Sequence, residues 1–136
     1  METTRTRSEL MKRVRREGTS PEVLVRKLLT SIGGRYRLNV RGLPGSPDIA
    51  NRSRRRAIFV HGCFWHFHRD CPRGRIPKRN RNWWQRKLER NRERDGRKVR
   101  ELEEMGFEVL VVWACQLHQE ESMKNVLEDF WSSSDV

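Results

Sequence analysis

Ala57-Ile58-Phe59-Val60-His61-Gly62-Cys63-Phe64-Trp65-His66-Phe67-His68-Arg69-Asp70-Cys71 is the segment on which the fold turns. Ala57 to Val60 is a short apolar run, as expected of a buried strand. It delivers His61 into a turn dense with reactive and aromatic side chains. Two of the chain's three cysteines and three of its four histidines fall between Val60 and Cys71. Cys63, His68 and Cys71 form a C-x4-H-x2-C pattern, and Cys115 follows a second apolar run that can carry it back to them. Three thiolates and one imidazole make a complete tetrahedral zinc set, and a closed set is structural because no position stays open for substrate. His118, three residues after Cys115, is a rival fourth ligand. A free cysteine is more often packed than metal-bound, but this pattern takes up every thiol in the chain. His61 and His66 stay outside the set and are candidates for chemistry, since imidazole titrates near neutrality.

Charge sets the class of partner. The 136 residues carry a formal net charge of +12 with 35% hydrophobic content, which suits one domain that binds a polyanion. Residues 69 to 100 hold fourteen Lys/Arg against four acids, whereas residues 101 to 136 hold one lysine against nine acids. A run such as Arg52 to Arg56 reads as a solvated face by itself; the lopsided whole reads as a surface for nucleic-acid phosphates. With no long apolar run and no signal-peptide pattern, the expectation is a soluble, cytoplasmic protein that does not engage membranes. Three cysteines also argue against a secreted disulfide framework.

Residues 1–18 read as a basic arm and 19–136 as one folded domain. Ser20-Pro21-Glu22 predicts a helix start, with Val25, Leu28, Leu29 and Ile32 at helical spacing and Gly33 as the stop. Alternation at Tyr36, Leu38 and Val40 predicts a strand, residues 42–47 a connector, and Asp48-Ile49-Ala50 a second strand. Asn51 to Arg56 is a hairpin turn before the Ala57–Val60 strand, which sets Asp48 and His61 on neighbouring strands. A basic loop leads to a long helix from about Asn82 to Met105. Phe107 to Trp113 is expected to be a central strand, and a last helix near Glu120 to Trp131 packs through Met123, Val126, Leu127 and Phe130. The order α-β-β-β-α-β-α describes an α/β fold, a mixed sheet flanked by helices. On the long helix Trp84, Leu88, Asn91, Asp95, Val99 and Leu102 share one face. Two polar residues therefore break an apolar stripe. They meet solvent at a helix edge, or Asp95 orients a histidine while Asn91 reaches water or phosphate.

These residues resemble the very-short-patch repair (Vsr) DNA mismatch endonucleases. The likeness runs from Arg7 to Leu117 through Arg7-Ser8 with Met11, Thr19-Ser20-Pro21-Glu22, Leu43-Pro44-Gly45-Ser46-Pro47-Asp48, Phe59 to His66, Asn91-Arg92-Glu93-Arg94-Asp95 and Val111-Val112-Trp113-Ala114-Cys115. The resemblance implies a restriction-endonuclease-like fold, a structural Zn²⁺, and Mg²⁺-dependent nicking on the 5′ side of the thymine in a T·G mismatch left by 5-methylcytosine deamination. It further implies a monomer acting on double-stranded DNA, functionally linked to a cytosine-5 methyltransferase and to mismatch-repair proteins. Phosphodiester hydrolysis needs a hard cation, an in-line water and a base. Asp48 with the Val60 backbone carbonyl would hold Mg²⁺, which suits few carboxylates and several waters. The family often has a hydroxyl residue where this chain has Val60, a departure that bears on metal affinity only if the hydroxyl, not the carbonyl, is the ligand. By the same resemblance His66 would be the base held by Asp95, His61 would contact the phosphate, and Glu22 and Asn91 would order metal-bound waters.

The resemblance assigns Met11, Phe64, Trp65, Trp84 and Lys87 to DNA, the aromatics entering from the major groove and Met11 from the minor. Apolar wedges unstack base steps, which a mismatch makes easier. Core packing is the plain alternative for Trp65 and Trp84. Two rival functions remain. One is a restriction-type or mobile-element nuclease without mismatch preference; the other is a zinc-stabilised DNA-binding module without catalysis.

Overall fold

The computed structural model describes residues 20–69 and 71–132. Helix α1 (Ser20–Ser31) is followed by strands β1 (Arg37–Leu38), β2 (Ile49–Asn51) and β3 (Arg56–His61), helix α2 (Arg81–Glu104), strand β4 (Glu108–Trp113) and helix α3 (Glu120–Ser132). Short 3-10 turns at Pro72–Gly74 and Ala114–His118 precede the two later helices. The basic arm and Met11 lie outside the described residues.

Helix α1 stops where the sequence signals. Gly33 takes φ 78, its N–H bonds the Thr30 carbonyl and the Gly34 N–H bonds that of Leu29, the paired bonds of a glycine-closed helix end. The sheet order is β1-β2-β3-β4, with β1/β2 and β2/β3 antiparallel and β3/β4 parallel. All six residues of β3 are buried. Its alternate side chains feed two cores: Ile58 and Val60 pack with Val25, Leu29, Met123, Leu127 and Trp131 of α1 and α3, whereas Ala57 and Phe59 pack with Leu43, Leu102 and Phe107 on the α2 side. The period-two pleat thus makes three layers, helices on both faces of a mixed sheet. This is the expected α/β, restriction-endonuclease-like class.

Four local expectations are corrected. Strand β4 is the edge of the described sheet, not a central strand, because the chain after it turns into α3 rather than adding a strand. β1 keeps only two paired residues and Leu38 is 40% exposed, since Asn39 at φ 47 breaks the extended run. On α3, Val126 is 44% exposed and Trp131 is buried instead. Arg56 is no solvated residue but 1% exposed: its Nε donates to the Phe130 carbonyl at 3.2 Å and Arg54 donates to that of Trp131 at 2.6 Å. Guanidinium groups on the last carbonyls of α3 complement the negative end of the helix dipole.

The parallel register decides the site. Val60 pairs with Val112 and His61 with Trp113, so both strands release their chains at one end of the sheet. Asp48 immediately precedes β2 and enters at that same end.

Candidate metal centre and acid–base cluster

After His61 the chain folds back over itself. The His66 N–H bonds the Gly62 carbonyl, that of Phe67 bonds Phe64, and that of His68 bonds Cys63. Phe67 sits at φ 52, a left-handed conformation that costs a side-chain-bearing residue roughly 1–2 kcal/mol and persists only where the surroundings dictate it. The turn lays the His66 ring on that of His61, with centroids 3.8 Å apart and planes 2° from parallel.

Each titratable group in this cluster has a distinct environment. The His66 Nδ1 is 2.6 Å from the Asp95 Oδ2, so the carboxylate accepts from Nδ1–H and leaves Nε2 as the basic nitrogen. Burial alone would push Asp95 up, but the His66 hydrogen bond and the charges of His66, His61 and Lys98 outweigh it and hold the carboxyl below the ordinary range. His61 is driven down to about 3, first by burial and then by His66 beside it. It is neutral at physiological pH, and its buried Nδ1 has no partner among the described residues. An unsatisfied buried nitrogen costs about 1–3 kcal/mol, which a ligand oxygen there would offset. Asp48 is raised from 3.8 to about 6, chiefly by burial, against the Val60 N–H bond at 2.7 Å and with the charge of Glu22 adding to the rise. A residue in a strand turns its N–H and C=O to the same side, so the Val60 carbonyl faces the edge that Asp48 occupies. A buried carboxylate beside a second acid and a backbone oxygen is the donor set a hard cation takes.

The second cluster contains Cys63, His68, Cys71 and Cys115, whose ligating atoms all lie within 4.8 Å of one another. Cys115 arrives because β4 runs parallel to β3 and the 3-10 turn after Trp113 brings its sulfur to 3.5 Å from the His68 Nδ1. Burial and the neighbouring Cys63 and Cys71 push the Cys115 thiol up to about 11. Three crowded thiols resist ionising together, and a dication relieves that repulsion. Sulfur and imidazole donors at this spacing can hold a metal ion and fit tetrahedral coordination. His118 stands outside the cluster, with its Nδ1 against the Cys115 carbonyl.

Where the turn meets α2 the rings of Phe64, Trp65 and Trp84 form an aromatic group. Phe64 lies 5.0 Å from Trp65 and 5.4 Å from Trp84, ring centre to ring centre. All three rings are half-buried. The Asn91 amide donates to the Trp65 carbonyl at 3.0 Å and accepts from Arg94. Both polar residues that break the α2 stripe are therefore bonded across to the His66 turn. Glu22, on the first turn of α1, is buried beside Asp48.

Two neighbours escaped the sequence reading. Lys98 follows Asp95 by three residues, hence on the same helix face, and acts on both Asp95 and His61. Its stem crosses Gly45 (φ 74), where any Cβ would overlap it. That spacing was the available signal. Trp83 is 51% exposed, packs edge-on to Trp84 at 4.9 Å, and has the Lys87 ammonium 5.9 Å above its ring. It falls off the buried stripe of α2, which is why periodicity passed over it.

Comparison with known proteins gives a consistent result. A family model described as DNA mismatch endonuclease Vsr matches residues 1–73. The type II nicking enzyme V.XorIIP of Xanthomonas oryzae pv. oryzae is 48% identical over 126 residues, 90% of this chain and 92% of that protein. The type II nicking enzyme V.NmeAIP of Neisseria meningitidis is 46% identical over 115 residues, 85% of this chain and 81% of the relative. The DNA mismatch endonuclease Vsr of Escherichia coli is 38% identical over 118 residues, 87% of this chain and 75% of that protein.

Proposed function

The chain belongs to the Vsr family of DNA mismatch endonucleases, and from that premise we propose that it nicks one strand of duplex DNA on the 5′ side of the thymine in a T·G mismatch, with Mg²⁺ as catalytic cofactor and Zn²⁺ as structural ion. The observation that carries the reading is the His66–Asp95 pair stacked on His61 beside the buried carboxylate of Asp48.

Asp48 and the Val60 carbonyl would hold Mg²⁺, which when bound supplies positive charge to the phosphate oxygens. The His66 Nε2 takes a proton from water as the water oxygen bonds to phosphorus; the ester P–O bond opposite it breaks, and the departing oxygen keeps the electron pair and takes a proton from solvent. Asp95 stabilises the resulting imidazolium and keeps the ring in the productive tautomer. His61, held neutral by burial, contacts the phosphate as a hydrogen-bonding group rather than as a cation. Glu22 and Asn91 order water around the site. Zn²⁺ on Cys63, His68, Cys71 and Cys115 would fix the turn that carries His66. Phe64, Trp65 and Trp84 form the wedge for the mismatched step, with Lys87 and, from the basic arm, Met11 contacting DNA. The reading implies a cytoplasmic protein working as a monomer in concert with a cytosine-5 methyltransferase. Among the described residues no helix is long and apolar enough to cross a membrane.

The test is single-turnover cleavage of a T·G duplex by the wild type and His66→Ala, each with Mg²⁺ or EDTA, alongside duplex binding. Nicking by wild type with Mg²⁺ only, and its loss in His66→Ala with binding retained, is the expected result. Wild-type rates in His66→Ala would overturn the assignment.

A further inference from the structure

Outside the acid–base cluster, a cleft of about 680 Å³ opens between the Cys/His turn and the start of α2. Arg69, Arg75, Lys78 and Arg81 line it, together with His68 and Cys71 of the Cys/His cluster, and among the described residues no acidic side chain does. All four cations are exposed at its rim. Its floor is tight at Gly74, where any Cβ would overlap the His68 carbonyl. The backbone there is thus pressed against the turn that the metal ligands shape. The rim and the aromatic group share one helix end: Arg81 opens α2, and Trp83 and Trp84 follow within its first turn.

We propose that this cleft is a clamp for the sugar–phosphate backbone flanking the mismatched step, so that the Cys/His turn shapes a DNA contact as well as carrying His66. The inference rests on the endonuclease reading and adds to it a subsite. Duplex DNA carries closely spaced phosphates with condensed counterions, and each neutralised phosphate steepens the dependence of log affinity on log salt by about 0.9. Backbone contacts position a protein without reading sequence.

The residues act as a group, so the test removes three of them. For Arg75→Ala/Lys78→Ala/Arg81→Ala, the salt slope of T·G duplex binding should be shallower than that of wild type by about 2 to 3. The ratio of T·G to C·G affinity should stay at the wild-type value. The control is Arg35→Ala/Arg37→Ala/Arg52→Ala, which removes equal charge from a smaller cleft at the opposite end of the sheet; it should leave the slope at the wild-type value. A Lys78→Ala single variant, expected to lower the slope by about 1, serves if the triple variant does not fold. Equal slopes in the cleft variant and the control, or a larger change in the control, would overturn the clamp. Failure of the wild type to nick any T·G duplex would instead overturn the reading beneath it.

Discussion

Asp95→Asn isolates the step on which the mechanism depends. The substitution keeps the shape of the side chain that meets the His66 Nδ1 at 2.6 Å but removes its charge. Hydrogen bonds to charged groups contribute about 1.5–3 kcal/mol, and loss of the orienting carboxylate in comparable base–carboxylate pairs lowers kcat by about 10⁴. Here the His66 and Asp95 side chains are 30% and 15% exposed, so solvent screens part of the interaction. The expected loss is about 100-fold in the single-turnover nicking rate, equivalent to roughly 2.7 kcal/mol. Asp95 works only through His66, so adding Asp95→Asn to His66→Ala should cost nothing further. The assay is a double-mutant cycle on saturating T·G duplex. Asp95→Asn within about three-fold of wild type, or losses that multiply in the double variant, would refute the pair as base and positioning residue.

Cys115→Ser should reduce bound zinc below one per chain and lower the melting temperature, read by elemental analysis and thermal unfolding; correctly folded wild type without zinc would contradict the metal assignment. Asp48 has its pKa raised from 3.8 to about 6, and a cation must displace its proton, so apparent Mg²⁺ affinity should fall about tenfold per pH unit below pH 6 and level off above it. The matching stability sign is that the metal-free protein, binding the extra proton only when folded, loses stability as pH rises from 3.8 to about 6. His61, lowered from 6.5 to about 3, acts oppositely as pH falls, so the Asp48 contribution is read as the difference from Asp48→Asn. Phe64→Ala/Trp65→Ala should shrink the preference for T·G over C·G while leaving the salt dependence of binding nearly unchanged; full discrimination in that variant would make the rings packing alone.

Local chemistry made much of this legible. Ser20-Pro21-Glu22 and Gly33 bracket α1 because capping and glycine conformation are properties of a few adjacent residues. The C-x4-H-x2-C run with Cys115 could be read as one donor set because thiols are scarce enough to leave a single choice, and the parallel β3/β4 pairing brings those donors together. What escaped depends on neighbours distant in the chain. Arg56 looks like its exposed neighbours until α3 returns its carbonyls to it. The apolar run of β4 promised a central strand, yet the α2 side of the fold and β3 bury enough of it at an edge. Val126 and Trp131 exchange places because the face of a terminal helix is set by what it lands on. Lys98 carries no motif beyond its three-residue spacing from Asp95, and its position over Gly45 shows only in the folded chain.

The central claim is a metal-dependent, mismatch-directed nick, and strand-resolved cleavage tests it most directly. Duplexes differing only in a T·G or C·G pair, each strand separately labelled, are incubated with the protein and Mg²⁺ across varied flanking sequences. The account predicts one cut, immediately 5′ of the thymine, with the guanine strand and the C·G duplex left intact. Equal cutting of C·G, or cleavage of both strands, would contradict it.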